Sequence, residues 1–461
     1  MKMDCLKKLQ DWFDNHEEAI FEEFFKFLSF QTVSARKENL PQLKVCADYL
    51  KQLYENIGFN CEIVKTDYAP CLIIEKMMDP DYETVLFYHH YDVQPEDPID
   101  LWDSEPFRGE IRQGAVFARG AQDNKGQCFY TYIALKALVE LNLLHHVNVK
   151  LIIEGEEEIG SHSLKKVLGT HAQQLKADHL YVVDSGMKSL EQPVIGIGAR
   201  GILSFELEVT SQNTDLHSGE HGGLAFSATR ALVEVLAKCF DQDGKVLVNH
   251  FYDDVKPLSL EKGSFDVTFD QNEYQKNYGI KALANLKGTT LTESNWIYPT
   301  LEINGIYGGY TDQGFKTVLP AKAYAKLSIR SVPNQDPKKL ADDLGKFFKK
   351  KIRHGIDCKL KVLSLGNYFI STPHSKCVAV AKKAYTQVFD KPCLYSLCGG
   401  SIPITADLAK TAHANACLIG TGLMDDNIHA PNEHFQIESF KKGFLTIAKI
   451  LDILGNDTIN N

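Results

Sequence analysis

The segment VKLIIEGEEEIGS (149–161) places Glu154, Glu156, Glu157 and Glu158 directly after an apolar run from Val149 to Ile153. A solvated loop tolerates such a row of carboxylates, but the end of a buried strand calls for something positive beside it. Glu157 and Glu158 are neighbours, so on extended backbone their side chains diverge. One is then free to hold a cation while the other faces a substrate.

Further segments carry matching residue types. In YHHYD (88–92), His90 and Asp92 stand two apart and share a face of a strand. A metal-bound histidine commonly passes its other N–H to a carboxylate. In ARGAQDNKGQ (118–127), Asp123 stands where the chain turns into a helix. It is placed there either to cap that helix or to bridge two cations. Asp184 ends the strand in YVVDSG (181–186), and His429 follows the last apolar strand in MDDNIHAPNE (424–433). Taken singly, each fits a plain role as a His–Asp pair, an N-cap or a solvated loop. Taken together, His90, Asp123, Glu158, Asp184 and His429 are two imidazoles and three carboxylates. With one carboxylate shared, they supply three ligands to each of two cations. Such N and O donors suit Zn²⁺. Two cations about 3.5–4 Å apart can hold a bridging hydroxide and polarise a carbonyl.

The elements that must position these residues alternate. Helical spacing covers 6–30 and 40–57, strand patterns cover 84–93, 147–155 and 179–186, and a strong helix covers 126–144. This rhythm predicts an α/β domain with a mainly parallel sheet, whose ligands sit at the carboxyl edge of the strands. After IGIGARG (195–201) the style changes to half-exposed strands and helices at 202–211, 224–240, 299–306, 322–332, 336–352 and 358–365. That β-α-β-β-α-β order describes a ferredoxin-like unit. The helix 336–352 has Asp336 as its N-cap and Pro337 at its first position. A polar segment, 241–295, lies inside this unit, and from about 375 the first rhythm returns, with an apolar strand at 414–422. The expectation is a mixed, mainly parallel central sheet flanked by helices, formed by 1–200 and 374–461 and interrupted by an α+β ferredoxin-like domain at 201–373.

Composition excludes several classes. The 461 residues carry a formal charge of −10, which disfavours nucleic acid and anionic membrane as partners. The basic cluster FFKKKIRHG (347–355) reads as a solvated helix end. No apolar run approaches the roughly 18 residues of a membrane span, and MKMDCLKKLQDWFDNHEE at the start lacks a signal-peptide core. Eleven scattered cysteines, with no CxxC pair, read as reduced thiols in the cytoplasm.

The ordered motifs HHYDVQP (89–95), RGAQDNKGQ (119–127), EGEEEIGS (154–161), VVDSG (182–186), DLHSGEHGG (215–223), KTVLPAKAYAKLSIRSVPN (316–334), CGGSIPIT (398–405) and HAPNE (429–433) resemble the M20 family of co-catalytic metallopeptidases. Within it, they are similar to the cytosolic non-specific dipeptidase and carnosine dipeptidase branch. The resemblance spans nearly the whole chain. It implies that His90, Asp123 and Asp184 hold one divalent metal and that Asp123, Glu158 and His429 hold the other, with Zn²⁺ expected and Mn²⁺ the alternative. It implies a cis peptide between Asp123 and Asn124, Asp92 orienting His90, and Glu157 as the general base. The inserted domain would be a lid that forms a homodimer. His217 would reach the partner subunit's site to stabilise the oxyanion. Arg330 would grip the substrate carboxylate, and Thr317 and Ser401 match further substrate contacts. Glu154 and Glu156 remain supporting or solvated residues.

Three departures stand out: Asn124 where relatives carry a second Asp, Glu156 where an uncharged residue is common, and His89 where Gly is common. None removes a ligand. The implied function is hydrolysis of dipeptides by a bridging water or hydroxide. Asp at position 184 resembles dipeptidases and aminopeptidases, whereas Glu there resembles carpoxypeptidases and deacylases of N-acyl amino acids, which are the alternative. A third reading, a binding protein on the same fold, is opposed by the intact ligand set.

Overall fold

A computed structural model describes residues 5–256, 265, 269–284, 286–400 and 404–460. Its centre is a nine-stranded sheet. Four inner strands run parallel in the order Asn148–Glu154, Thr84–His90, His179–Val183 and Asn415–Ile419. Antiparallel strands Cys71–Lys76 and Asn60–Val64 extend one side. On the other side Val194–Ala199 runs antiparallel to Asn415–Ile419, and Leu394–Cys398 pairs with it in parallel. This is the mixed, mainly parallel sheet expected from the alternating sequence.

Strand residues alternate between two apolar layers. Val85 and Phe87 join a core with the helices Cys5–Leu28, Lys125–Glu140 and Ile437–Asn460. Leu86 and Tyr88 join the opposite layer with the helices Leu164–Thr170 and Ile404–Ala412. Both faces of the sheet are thus covered, which is why its strands read as continuous apolar runs. The helix Lys125–Glu140 packs against both Cys5–Leu28 and Ile437–Asn460. Almost all of its side chains are buried. Even Lys125 is buried at its start. Its Nζ donates to Phe30 O at 2.6 Å and Phe27 O at 3.2 Å, satisfying carbonyls at the end of the first helix.

The second unit is an antiparallel sheet in the order Thr300–Gly308, Lys322–Ser331, Gly201–Thr210, Asp357–Leu365. Numbered along the chain, that order is 2-3-1-4, the ferredoxin-like arrangement. Leu203, Phe205, Leu207 and Val209 alternate inward against the helices Ala228–Ala237 and Pro337–Lys351. Asp336 caps the latter, accepting Lys338 N at 2.8 Å. Element ends shift by a few residues from the sequence reading. The expected helix 224–240 forms only over Ala228–Ala237, and the strand 84–93 stops at His90. Part of the polar 241–295 segment lies outside the described residues. Within it, Leu291–Trp296 forms a short helix whose capping box joins Thr290 and Glu293.

Candidate metal centre

Parallel strands present their carboxyl ends along one edge, and there the sheet delivers His90, the 154–158 segment and Asp184 together. Asp123 arrives from a tight loop entering the helix Lys125–Glu140. Gly120 in that loop adopts φ +82°, and a Cβ at Gly126 would lie 1.9 Å from Ala121 O. The peptide bond from Asp123 to Asn124 is cis. His429 lies beyond the strand Asn415–Ile419 with φ +61°, in the left-handed region that non-glycine residues seldom adopt. The segment around it is held by Asp426, which accepts Leu423 N at 2.6 Å through its side chain and His434 N at 2.9 Å through its carbonyl.

All five expected ligands converge. His90, Asp123 and Asp184 have ligand atoms mutually within 4.8 Å, and so do Asp123, Glu158 and His429. His90 Nε2 lies 3.1 Å from Asp123 Oδ1 and 3.8 Å from Asp184 Oδ1. His429 Nε2 lies 2.9 Å from Asp123 Oδ2 and 3.3 Å from Glu158 Oε1. Asp123 therefore faces one imidazole with each oxygen, as a shared ligand must. His90 is fully buried, whereas the His429 side chain is 50% exposed at the mouth of the site.

The residues present fit two cations. Glu158 Oε1 is a buried carboxylate oxygen that faces the His429 ring, while its other oxygen accepts Gln94 Nε2 at 2.8 Å. Buried carboxylates gathered this closely are what a cation relieves. Protonation points the same way. Burial works against the charged His90 ring, but hydrogen bonds to Asp123, Asp184 and Asp92 outweigh it and raise its pKa well above the usual histidine value. Hydrogen bonds donated to Asp123 and Glu158 push His429 up to about 10. Burial opposes ionisation of Asp123, yet His429 and His90 hold its carboxyl well below the usual range. In the metal-free protein, protons on the two imidazoles stand where cations would bind.

Supporting contacts set each ligand. His90 Nδ1 lies 3.0 Å from the carbonyl of Asp92 and 3.4 Å from its Oδ1. The Asp92 carboxylate itself accepts Glu157 N at 3.2 Å and Glu158 N at 3.1 Å. It thus orients both the histidine and the acidic turn. Asn124 donates to Asp184 Oδ1 at 3.0 Å and to Val183 O at 2.7 Å. An ionised aspartate could make neither bond, so the amide at this position has a physical use. Its Oδ1 lies 3.3 Å from His89 Nδ1, and burial pushes the His89 ring down to about 3, leaving it neutral.

Glu157 projects from the same turn. Burial raises its carboxyl well above the usual range; His90 pulls the other way, and Asp184, Glu158 and Asp92 add to the rise. The remaining two acids are not solvated. Glu154 is buried and accepts the hydroxyls of Tyr88 and Ser161, both at 2.7 Å. Burial, reinforced by Asp92, pushes it up to about 8. Glu156 is also buried and accepts Ala69 N at 3.0 Å and Ser163 N at 3.1 Å.

Three further expected residues, His217, Thr317 and Arg330, stand on the second unit. His217 and Thr317 sit at a short ladder between Leu216–His217 and Val318–Leu319, both exposed. His217 Nδ1 accepts Gly219 N at 3.0 Å. Among the described residues, no hydrogen bond or ion pair joins either residue to the ligand cluster. Arg330 lies on the strand Lys322–Ser331, opposite Ile202 and Thr300. Ser401 lies outside the described residues. Arg200 went unnoticed in the sequence. It donates through Nε to Gly399 O at 2.7 Å, and burial with the nearby Arg330 pulls it down to about 10. Its only signal was a charged residue at the junction of two element styles.

The chain is similar to known peptidases. The chain is 30% identical to the Cys-Gly metallodipeptidase dug1 of Schizosaccharomyces pombe, over 96% of this chain and 97% of that protein. It is 29% identical to the Beta-Ala-His dipeptidase of Homo sapiens, over 95% and 90% respectively. A solved M20 family metallo-carboxypeptidase from Sulfolobus solfataricus superposes with a TM-score of 0.85 at 31% identity, covering 95% of this chain and 99% of that one. The family model for Peptidase family M20/M25/M40 matches residues 86–452, most of the chain, and the chain belongs to that family.

Proposed function

We propose that the chain is a metal-dependent dipeptidase that hydrolyses the peptide bond of dipeptides with free termini. The observation that carries this reading is the pair of overlapping triads sharing Asp123, with Glu157 beside them on the turn that supplies Glu158. His90, Asp123 and Asp184 would hold one divalent cation, and Asp123, Glu158 and His429 the other; Zn²⁺ suits these donors, with Mn²⁺ the alternative. When bound, such a pair polarises the scissile carbonyl and makes water nucleophilic near neutral pH.

The rest is the work of the chain. Glu157 takes a proton from the attacking water and returns it to the leaving amine. Its raised pKa in the metal-free protein falls once cations stand beside it, so it enters the reaction ionised. Asp92 fixes the turn carrying Glu157 through the two backbone amides. Arg330 grips the substrate carboxylate with its planar fork, and Arg200 adds positive potential nearby. Thr317 and Ser401 complete the substrate contacts.

Residues 1–200 and 374–461 would form the catalytic domain and 201–373 the lid. Exposed Leu224, Ile306, Tyr307 and Phe315 on the lid support a homodimer, in which His217 reaches the neighbouring site and donates to the oxyanion. No described helix is long and apolar enough to cross a membrane. The eleven free cysteines support a reducing, cytoplasmic setting.

A carboxypeptidase reading draws on the Sulfolobus solfataricus likeness; Asp184 and the two dipeptidase relatives favour the first. The test is turnover of Cys-Gly, β-Ala-His and other free dipeptides by protein loaded with Zn²⁺ or Mn²⁺, against N-acyl amino acids and longer peptides. Metal-dependent cleavage of dipeptides is expected. Hydrolysis of N-acyl amino acids or longer peptides with none of dipeptides would overturn it.

A further inference from the structure

Glu433 is fully buried four residues beyond His429, and its carboxylate is saturated by one short loop. Oε2 accepts Arg119 Nη1 at 2.6 Å and Gly120 N at 2.9 Å. Oε1 accepts Gln122 N and Asp123 N, both at 3.1 Å. The Glu433 carbonyl also accepts Ala118 N at 3.1 Å. The whole stretch from Ala118 to Asp123 is thereby clamped to the segment that carries His429. Arg119, equally buried, donates to Pro95 O at 3.0 Å and lies over the Trp102 ring, which ties in the chain that follows Asp92.

Three backbone N–H groups aimed at one carboxylate form an anion site filled from within the chain. Its position is specific, because one of the three belongs to Asp123. A carboxylate ligand shared by two cations must keep each oxygen on its own side, and the Asp123 side chain can do so only if its backbone is fixed. We propose that Glu433 is a positioning residue for metal affinity: it sets the Asp123 loop against the His429 segment, so that both triads are assembled before any cation arrives. It touches neither the cations nor the substrate. The inference rests on the reading of the triads as metal sites.

The experiment compares wild type, Glu433→Gln and Glu433→Asp as full-length, metal-stripped proteins. Each is titrated with Zn²⁺ against a competing chelator, and folding is followed by circular dichroism. Wild type is expected to bind two ions. Glu433→Gln loses the charge facing Arg119 and should bind about 10–100-fold more weakly, the range seen when partners of metal ligands are removed. Excess metal should restore its turnover, which a simple loss of fold would not allow. Glu433→Asp keeps the charge opposite Arg119 and so guards against misfolding. One methylene shorter, it draws back from the amides, and it should bind several-fold more weakly at unchanged helix content. If wild type binds no metal, the reading of the site fails. If wild type binds two ions and the Asp variant, with any folded Gln variant, matches its affinity, the role given to Glu433 is wrong and the residue is only a strut.

Discussion

At the scale of single residues, the acidic run divides into different surroundings. Glu158 and Glu157 stand at the candidate metal centre, Glu156 is matched by two backbone amides, and burial favours a proton on Glu154. Glu154 gives the clearest pH prediction. Its pKa rises from 4.5 to about 8 on burial, so the folded state binds more protons than the unfolded state between those values. Stability supplied by that proton is therefore present below about 4.5 and lost as pH climbs toward 8. A glutamine has no such proton to lose, and its Oε1 can still accept Tyr88 and Ser161. Urea unfolding of metal-free wild type and Glu154→Gln across pH 4.5–8 should show the variant gaining relative stability as pH rises. A constant difference across this range would mean that Glu154 is already ionised in the fold.

At the scale of elements, the site is assembled by turns whose anchors lie far off in sequence. The candidate ligands were legible because they end apolar strands or begin a helix, and the carboxyl edge of a parallel sheet gathers such positions. The ferredoxin-like order was legible from alternation and helix caps, as at Asp336. The anchors were not. Glu156 meets Ala69 across 87 residues, and Glu433 meets Gly120 across 313, with no periodic pattern to betray either pairing. The short strands Glu110–Arg112, Ala115–Phe117 and His434–Gln436 escaped for the same reason, since each pairs over only three residues. Glu156 tests how firmly the acidic turn is held. Its truncation in Glu156→Ala strands the buried N–H groups of Ala69 and Ser163, at about 1–3 kcal/mol for each. A lower urea midpoint in the metal-free protein is the expected result. An unchanged midpoint would show that water replaces the carboxylate and that the turn needs no such anchor.

At the scale of the molecule, the proposed mechanism draws its oxyanion donor from a neighbouring subunit. The triads and Glu157 lie at the edge of the large sheet, while His217 sits exposed on the ferredoxin-like unit. An oxyanion donor must lie within hydrogen-bond reach of the reacting carbonyl, so a neighbouring subunit would have to supply it. Mixing two inactive variants decides this. Glu157→Gln should keep both cations but lose turnover, and His217→Ala should keep its base but lose the oxyanion donor. In a mixed dimer with donation across the interface, one site lacks both groups and the other regains both. Random reassortment of equal amounts makes about half the dimers mixed, each with one sound site of two, so about a quarter of wild-type activity should return. If His217 instead serves its own subunit, every site in every mixed dimer lacks one of the two groups, and no activity returns. The reassortment itself is checked by tagging one variant and recovering the other with it. Co-recovery without activity would place the donation within one chain, while failure to co-recover would remove the dimer from the mechanism.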